Sequence, residues 1–165
     1  GRFALPIGVV PQIDPRLDAI VDKAMQTERE KRYSTAQEMK ADRAIKYRQG
    51  ILQAIGWNMG VLGGMAKGEV PYDKDKSIRA ATFVSELAQM PWDGFVPGSD
   101  TGAPTKAKPE IWKDKAKFDK LAKDMQAETL KLVAAAKTGD VAQLRTAVGA
   151  TGKSCSNCHD DFRNK

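Results

Sequence analysis

Apolar residues recur at helical spacing through most of the chain, and this pattern lays out the expected elements. A first long helix is expected from Ser34 or Thr35, where Gln37 and Glu38 each stand three residues on and make two overlapping capping boxes. Its inward face reads Ile45, Leu52, Ile55, Met59 and Leu62, and it can run unbroken to about Ala66, ahead of Gly68 and Pro71. A second helix is expected over 73–88, with Ile78, Ala81, Phe83, Val84 and Leu87 inward. A long segment rich in Gly, Pro, Ser and Thr follows from Pro91 to Lys108; a loop of this length in a small domain commonly serves a function or packs over something. A third helix begins near Pro109, carries Trp112, Phe118, Leu121, Met125, Leu130, Leu132 and Val133, and stops at Gly139. A fourth begins at an Asp140 cap and runs through Val141, Leu144 and Val148 to Arg163. Four helices with short or moderate connections predict an all-α, antiparallel four-helix bundle.

Composition narrows the class. The 165 residues are 41% hydrophobic and 29% charged, the balance of a globular protein. No run approaches the roughly 18 apolar residues of a membrane span, so no membrane role is expected. The net charge of +6 is scattered, without the one-sided basic patch that nucleic acid requires. The series Lys113, Lys115, Lys117, Lys120 and Lys123 reads first as a solvated helix face and second as a docking patch for an acidic redox partner.

The candidate chemistry lies at the C-terminus. The only histidine, His159, and the only cysteines, Cys155 and Cys158, form the run Cys155-Ser156-Asn157-Cys158-His159. Cys-x-x-Cys-His is the attachment pattern of c-type haem. Two thiols at this spacing reach the two vinyl groups of one porphyrin, and the adjacent imidazole supplies an axial nitrogen to the iron. A redox dithiol, a metal site and a small disulfide loop are the competing readings. The first prefers a strand-to-helix junction, the second needs a fourth ligand, and the third is strained. Thioether formation takes place on the outer face of the bacterial cytoplasmic membrane, so a periplasmic protein is expected. With no signal peptide at Gly1, the chain reads as a processed form.

Residues 41–165 resemble the cytochrome c′ family. The matching stretches are Ala44-Ile45-Lys46-Tyr47-Arg48-Gln49, Gly68 to Asp73, Pro91-Trp92, Phe95-Val96-Pro97-Gly98, Pro109-Glu110-Ile111-Trp112, and Cys155 to Arg163. The resemblance implies a four-helix bundle with one covalent haem c, bound through Cys155 and Cys158, with His159 as proximal ligand and Arg163 on the same side of the iron. It implies that Arg48 and Gln49 contact the haem, Arg48 through a propionate, and that Asp100 lies near a propionate. The distal position falls on Leu52, where low-spin relatives carry a methionine. Leucine cannot ligate iron, so the resemblance implies a five-coordinate, high-spin centre that binds nitric oxide and, more weakly, carbon monoxide. It further implies a homodimer or higher oligomer, and a non-enzymatic role. Met59 and Met65 are expected in the core, and Trp57, Trp92 and Trp112 in the core or at the haem edge.

Residues 1–40 stand outside that resemblance and read as a helical appendage whose origin the sequence leaves open. Asp14 and Pro15 form a capped start, with Leu17, Ile20, Val21 and Met25 as an apolar stripe. The stretch resembles the last helices of the large lobe of bacterial serine/threonine kinases, without any kinase motif, and a fusion is one explanation. Three functions therefore compete: a gas-binding haem protein, a dedicated periplasmic electron carrier, and an engineered assembly scaffold built on the cytochrome. A peroxidase is disfavoured because no second histidine exists for distal acid–base work.

Overall fold

The computed structural model describes residues 15–25 and 36–164. Helix α1 spans Pro15–Met25. Pro15 opens it, where the fixed φ suits the helix and the missing N–H has no intrahelical partner to lose. Ile20 and Val21 are half-buried, and the Arg16 guanidinium lies 3.4 Å from where a Cβ on Gly50 would sit. The expected caps at Asp14, Ser34 and Thr35 lie outside the described residues, as do the side chains of Leu17 and Met25.

The bundle consists of α2 (Ala36–Lys67), α3 (Lys74–Leu87), α5 (Lys115–Thr138) and α6 (Val141–Phe162), with a one-turn helix α4 (Glu110–Lys113) leading into α5. They form a ring: α2 packs on α3, α3 on α5, α5 on α6, and α6 back on α2. The 32 residues of α2 make it about 48 Å long at 1.5 Å per residue. Short connections join α2 to α3 and α5 to α6, whereas the long Pro91–Lys108 segment and α4 lie between α3 and α5. Gly139 takes φ +79°, the left-handed conformation that ends α5 without a Cβ clash. Asp140 then caps α6, accepting from the Ala142 and Gln143 N–H groups at 2.7 and 3.3 Å. The Gln143 side-chain amide, followed by those N–H groups, holds the Asp140 carboxyl below its usual range.

The main core is aliphatic and runs along the bundle axis. It includes Ile51, Ile55, Leu62, Met65, Val84, Met125, Leu132 and Leu144. A second, aromatic cluster closes the end where α6 finishes, built on Ile111, Phe118 and Phe162 with Phe95 and Trp112 against it. Phe118 meets Trp92, Phe95 and Phe162 edge-on, at centroid distances of 5.7, 4.8 and 5.4 Å. Trp92 touches both clusters and links the two. No helix among the described residues is long and apolar enough to cross a membrane.

Several expectations are corrected. The third helix is not continuous from Pro109: it breaks at Asp114, whose backbone leaves the helical region at φ −117°, ψ 62°. Its carboxylate accepts from the Lys117 N–H at 3.1 Å, so the short polar side chain that disfavours a helix interior starts a new helix instead. Phe83, expected inward, is 39% exposed; Trp57, expected in the core or at the haem edge, is 74% exposed; and Leu130 on the expected third helix is 63% exposed. Each stands on an apolar stripe wider than the neighbouring helices cover. Met59 and Met65 do pack in the core. The lysine series is largely paired with carboxylates. Lys113 meets Glu110 at 3.6 Å, Lys115 meets Asp119, Lys117 meets Asp161 at 3.1 Å and Lys120 meets Asp124 at 2.6 Å. This face presents mixed charge rather than a cationic patch.

Leu132 is fully buried and Leu130, one turn-edge away, is not. Leu132→Ala is expected to cost about 2–5 kcal/mol through lost transfer energy plus a cavity, and Leu130→Ala less than about 0.5 kcal/mol. Urea titration of both variants checks the contrast; equal costs would refute the assigned faces.

Candidate functional site

The motif residues sit on the last turns of α6, where one helical turn places Cys155 and Cys158 on the same side. Each thiol enters a different cluster. Cys155 packs against the axial core, and Cys158 against the aromatic cluster of Ile111, Phe118 and Phe162. Neither is in a disulfide, and both are half-buried. Burial pushes the Cys155 thiol up. Burial, then the neighbouring Cys155 and the Asp161 carboxylate, push Cys158 up to about 11.

These directions separate the competing readings. A working redox dithiol has a depressed pKa, of the kind found at helix N-termini. Here both thiols lie near a helix C-terminus, whose dipole disfavours thiolates. They are neutral at neutral pH. No group of three or more His, Cys, Asp or Glu side chains poised for a metal ion occurs among the described residues. Two neutral thiols one turn apart, followed at once by an imidazole, are the donor set that covalent haem requires. Burial, then the Arg163 charge, lower the His159 pKa, with Asp160 opposing. The imidazole is therefore neutral at neutral pH, with a lone pair free to ligate. The Arg163 N–H donates to the His159 carbonyl at 3.1 Å, which keeps the two residues on one turn.

Helix α2 packs beside α6. It brings Leu52 onto the cluster that also holds Cys155. One turn earlier, Arg48 is buried at 2% exposure and organises the Pro91–Lys108 segment. Its Nη1 donates to the Gly94 carbonyl and Ser99 Oγ at 2.7 and 2.6 Å. Its Nη2 donates to the Ser99 carbonyl and Thr105 Oγ1 at 2.6 and 3.1 Å. The guanidinium also stacks over Phe95, 4.6 Å from the ring centroid. Burial lowers the Arg48 pKa to about 10 while the Asp100 carboxylate raises it, and the group stays cationic at neutral pH. Gln49 Nε2 donates to the Pro104 carbonyl at 2.9 Å.

Arg48, Gln49 and Asp100 are thus brought together, but around the loop. The fork expected to meet a propionate has all four terminal N–H groups on loop acceptors. A carboxylate reaches this side chain through Nε or by replacing one of those acceptors. Gly94, Ser99 and Thr105 were not foreseen. The close approach of the loop gives Gly94 its reason: a Cβ there would lie 2.8 Å from Arg48 Cβ and 2.9 Å from the Ala44 carbonyl oxygen. No local signal marks Ser99 or Thr105, since their partner is about fifty residues away.

Comparison with known proteins places this arrangement among relatives. A family profile described as Cytochrome C' matches residues 43–163. Cytochrome c' of Rubrivivax gelatinosus is 43% identical over 122 residues, covering 74% of this chain and 95% of that protein. Cytochrome c' of Halomonas halodenitrificans is 39% identical over 125 residues, covering 73% and 95%. The crystal structure of the Rubrivivax gelatinosus protein superposes with TM-score 0.72 at 42% identity, covering 76% of this chain and 97% of that one. A nitric oxide complex of a leucine-to-isoleucine mutant of cytochrome c prime from Alcaligenes xylosoxidans gives TM-score 0.70 at 36% identity, covering 76% and 97%.

Replacing Arg48 by Met removes four hydrogen bonds and strands buried acceptors, each worth about 1–3 kcal/mol when orphaned. In Arg48→Met, amide exchange over 94–105 is expected to rise by at least about tenfold, while the α5–α6 amides stay protected. Uniform protection in both segments would refute the clamp.

Proposed function

The chain belongs to the cytochrome c′ family and carries haem c, and on that premise we propose that it is a periplasmic, non-enzymatic haem protein with five-coordinate, high-spin iron that binds nitric oxide and carbon monoxide at an apolar distal site and can pass one electron. Haem supplies an iron centre that takes up a diatomic ligand and changes oxidation state. The chain's own residues do the rest. Cys155 and Cys158 would hold the group covalently through their sulfur atoms. His159 ligates through a neutral ring nitrogen, and Arg163 stays beside it.

The observation that carries the proposal is the placement of Leu52. It lies on the cluster shared with Cys155, on a helix packed beside the one that bears the motif. It offers neither a lone pair for iron nor a hydrogen-bond donor for bound oxygen. Met59, two turns further along α2, is packed in the core, as is Met65. An apolar branched side chain at the sixth position keeps water and anions out and admits small uncharged diatomics against a steric cost. Asp100, beside the Arg48 guanidinium, and Gln49 stand where a propionate would meet polar groups.

Nitric oxide binding has support from the solved complex of a relative. The reading of this chain is checked by optical spectra of the purified holoprotein, oxidised and reduced, with and without nitric oxide. A high-spin spectrum that changes on adding the gas is expected. A low-spin spectrum with a methionine-to-iron charge-transfer band would overturn it in favour of a dedicated electron carrier. In Leu52→Ala, carbon monoxide association is expected to speed up by roughly tenfold, equivalent to about 1.4 kcal/mol of relieved crowding.

Association with a second copy of the chain is part of the same reading. Val61 and Phe83 are exposed on α2 and α3 and line a shallow groove with Asn58, Lys76, Arg79 and Ala80, and Trp57, one turn before Val61 on α2, is exposed as well. An indole 74% exposed on an otherwise well-packed helix is an expensive surface for a monomer. Sedimentation of the wild type and of Trp57→Asp is expected to give a dimer and a monomer respectively; a wild-type monomer at high protein concentration would refute it.

A further inference from the structure

We infer that Lys108 is a positioning residue for the proximal ligand, holding the last turn of α6, and with it His159, by satisfying that helix's terminal carbonyls. The inference rests on the reading of His159 as the axial ligand.

An α-helix ends with four carbonyls that have no intrahelical donor, and an uncapped last turn frays. In α6 those carbonyls belong to His159, Asp160, Asp161 and Phe162. The first accepts from the Arg163 N–H at 3.1 Å. One residue satisfies the other three. Lys108 Nζ donates to the Asp160 and Asp161 carbonyls at 3.1 and 3.2 Å, and the Lys108 backbone N–H donates to the Phe162 carbonyl at 3.0 Å. The ammonium also sits at the negative pole of the helix dipole, where a cation is favoured.

The surrounding chain is shaped for this contact. Arg163 is extended, at φ −126° and ψ 132°, and pairs with Ala107 in an antiparallel bridge. The Asn164 N–H closes the bridge by donating to the Lys106 carbonyl at 2.8 Å. Pro109 disfavours a helical backbone at Lys108 and so keeps the strap extended. The strap is also the end of the loop that Arg48 anchors through Gly94, Ser99 and Thr105. The turn bearing His159 is therefore fixed to the same segment that α2 holds. Lys117, by contrast, reaches only the Asp161 carboxylate on that turn, at 3.1 Å.

The test compares holoprotein carrying Lys108→Met, Lys108→Arg and Lys117→Met. Two readouts are taken: amide exchange of residues 160–163, and the iron–imidazole stretching band of the ferrous state by resonance Raman. Lys108→Met keeps the backbone N–H but loses the ammonium. It is expected to speed exchange in the last turn by about tenfold and to shift or broaden the iron–imidazole band. Lys108→Arg is expected to restore both, and Lys117→Met to change neither. Faster exchange with an unaltered band would show a plain helix cap and overturn the inference, as would no change in either readout. Absence of the band from the unsubstituted protein would overturn the ligand assignment itself, and this inference with it, a failure recognised because it appears before any substitution.

Discussion

A buried guanidinium holds the functional end of this molecule together. The segment from Pro91 to Lys108 has little regular structure, so its polar backbone groups need partners from elsewhere. Arg48 supplies four donors from one rigid plane, and the loop supplies four acceptors, two of them carbonyls and two hydroxyls. Burying a charge is costly unless it is fully bonded. The cost is offset here by hydrogen bonding of both terminal nitrogens and by the Phe95 ring beneath the cation. Lysine could not replace it, because a point charge with three rotatable donors does not match acceptors laid out in a plane.

The two ends of the bundle are organised by different forces. Away from the motif, Leu62, Leu132, Leu144 and Ala136 fill the interior almost without exposure, and stability there follows from area removed from water. Toward the end of α6, aliphatic packing gives way to edge-on aromatic contacts around Phe118 and to directed hydrogen bonds from Arg48 and Lys108. Directional interactions specify orientation in a way that aliphatic packing does not. Their concentration where an imidazole and two thiols must meet one rigid macrocycle fits the demands of that chemistry.

The functional proposal depends on facing helices rather than on the motif alone. In that proposal α6 would supply attachment and the ligating imidazole, and α2 the apolar side chain beside them. With the fold and cofactor held constant, one side chain on α2 would, on this proposal, separate an open iron from one closed by a sulfur ligand. The residue that the proposal rests on is far from the motif in the chain and near it only because α2 packs on α6.

Most of the fold was legible in the residues themselves. The four bundle helices, the Asp140 cap, the Gly139 stop and the Cys155-x-x-Cys158-His159 unit all rest on interactions within one helical turn of the chain, which is why periodicity and spacing reveal them. Tertiary structure decided the rest. Trp57, Phe83 and Leu130 share the periodicity of core residues, yet whether a stripe position is buried depends on how much of that face a neighbouring helix covers. The break at Asp114 needed a cap to compete successfully with helix continuation. The acceptors of Arg48 lie 46 to 57 residues away, and the carbonyls held by Lys108 lie 52 and 53 residues away. Such partnerships leave no local pattern, because a hydrogen bond between distant segments depends on where folding brings their backbones and not on the residues on either side.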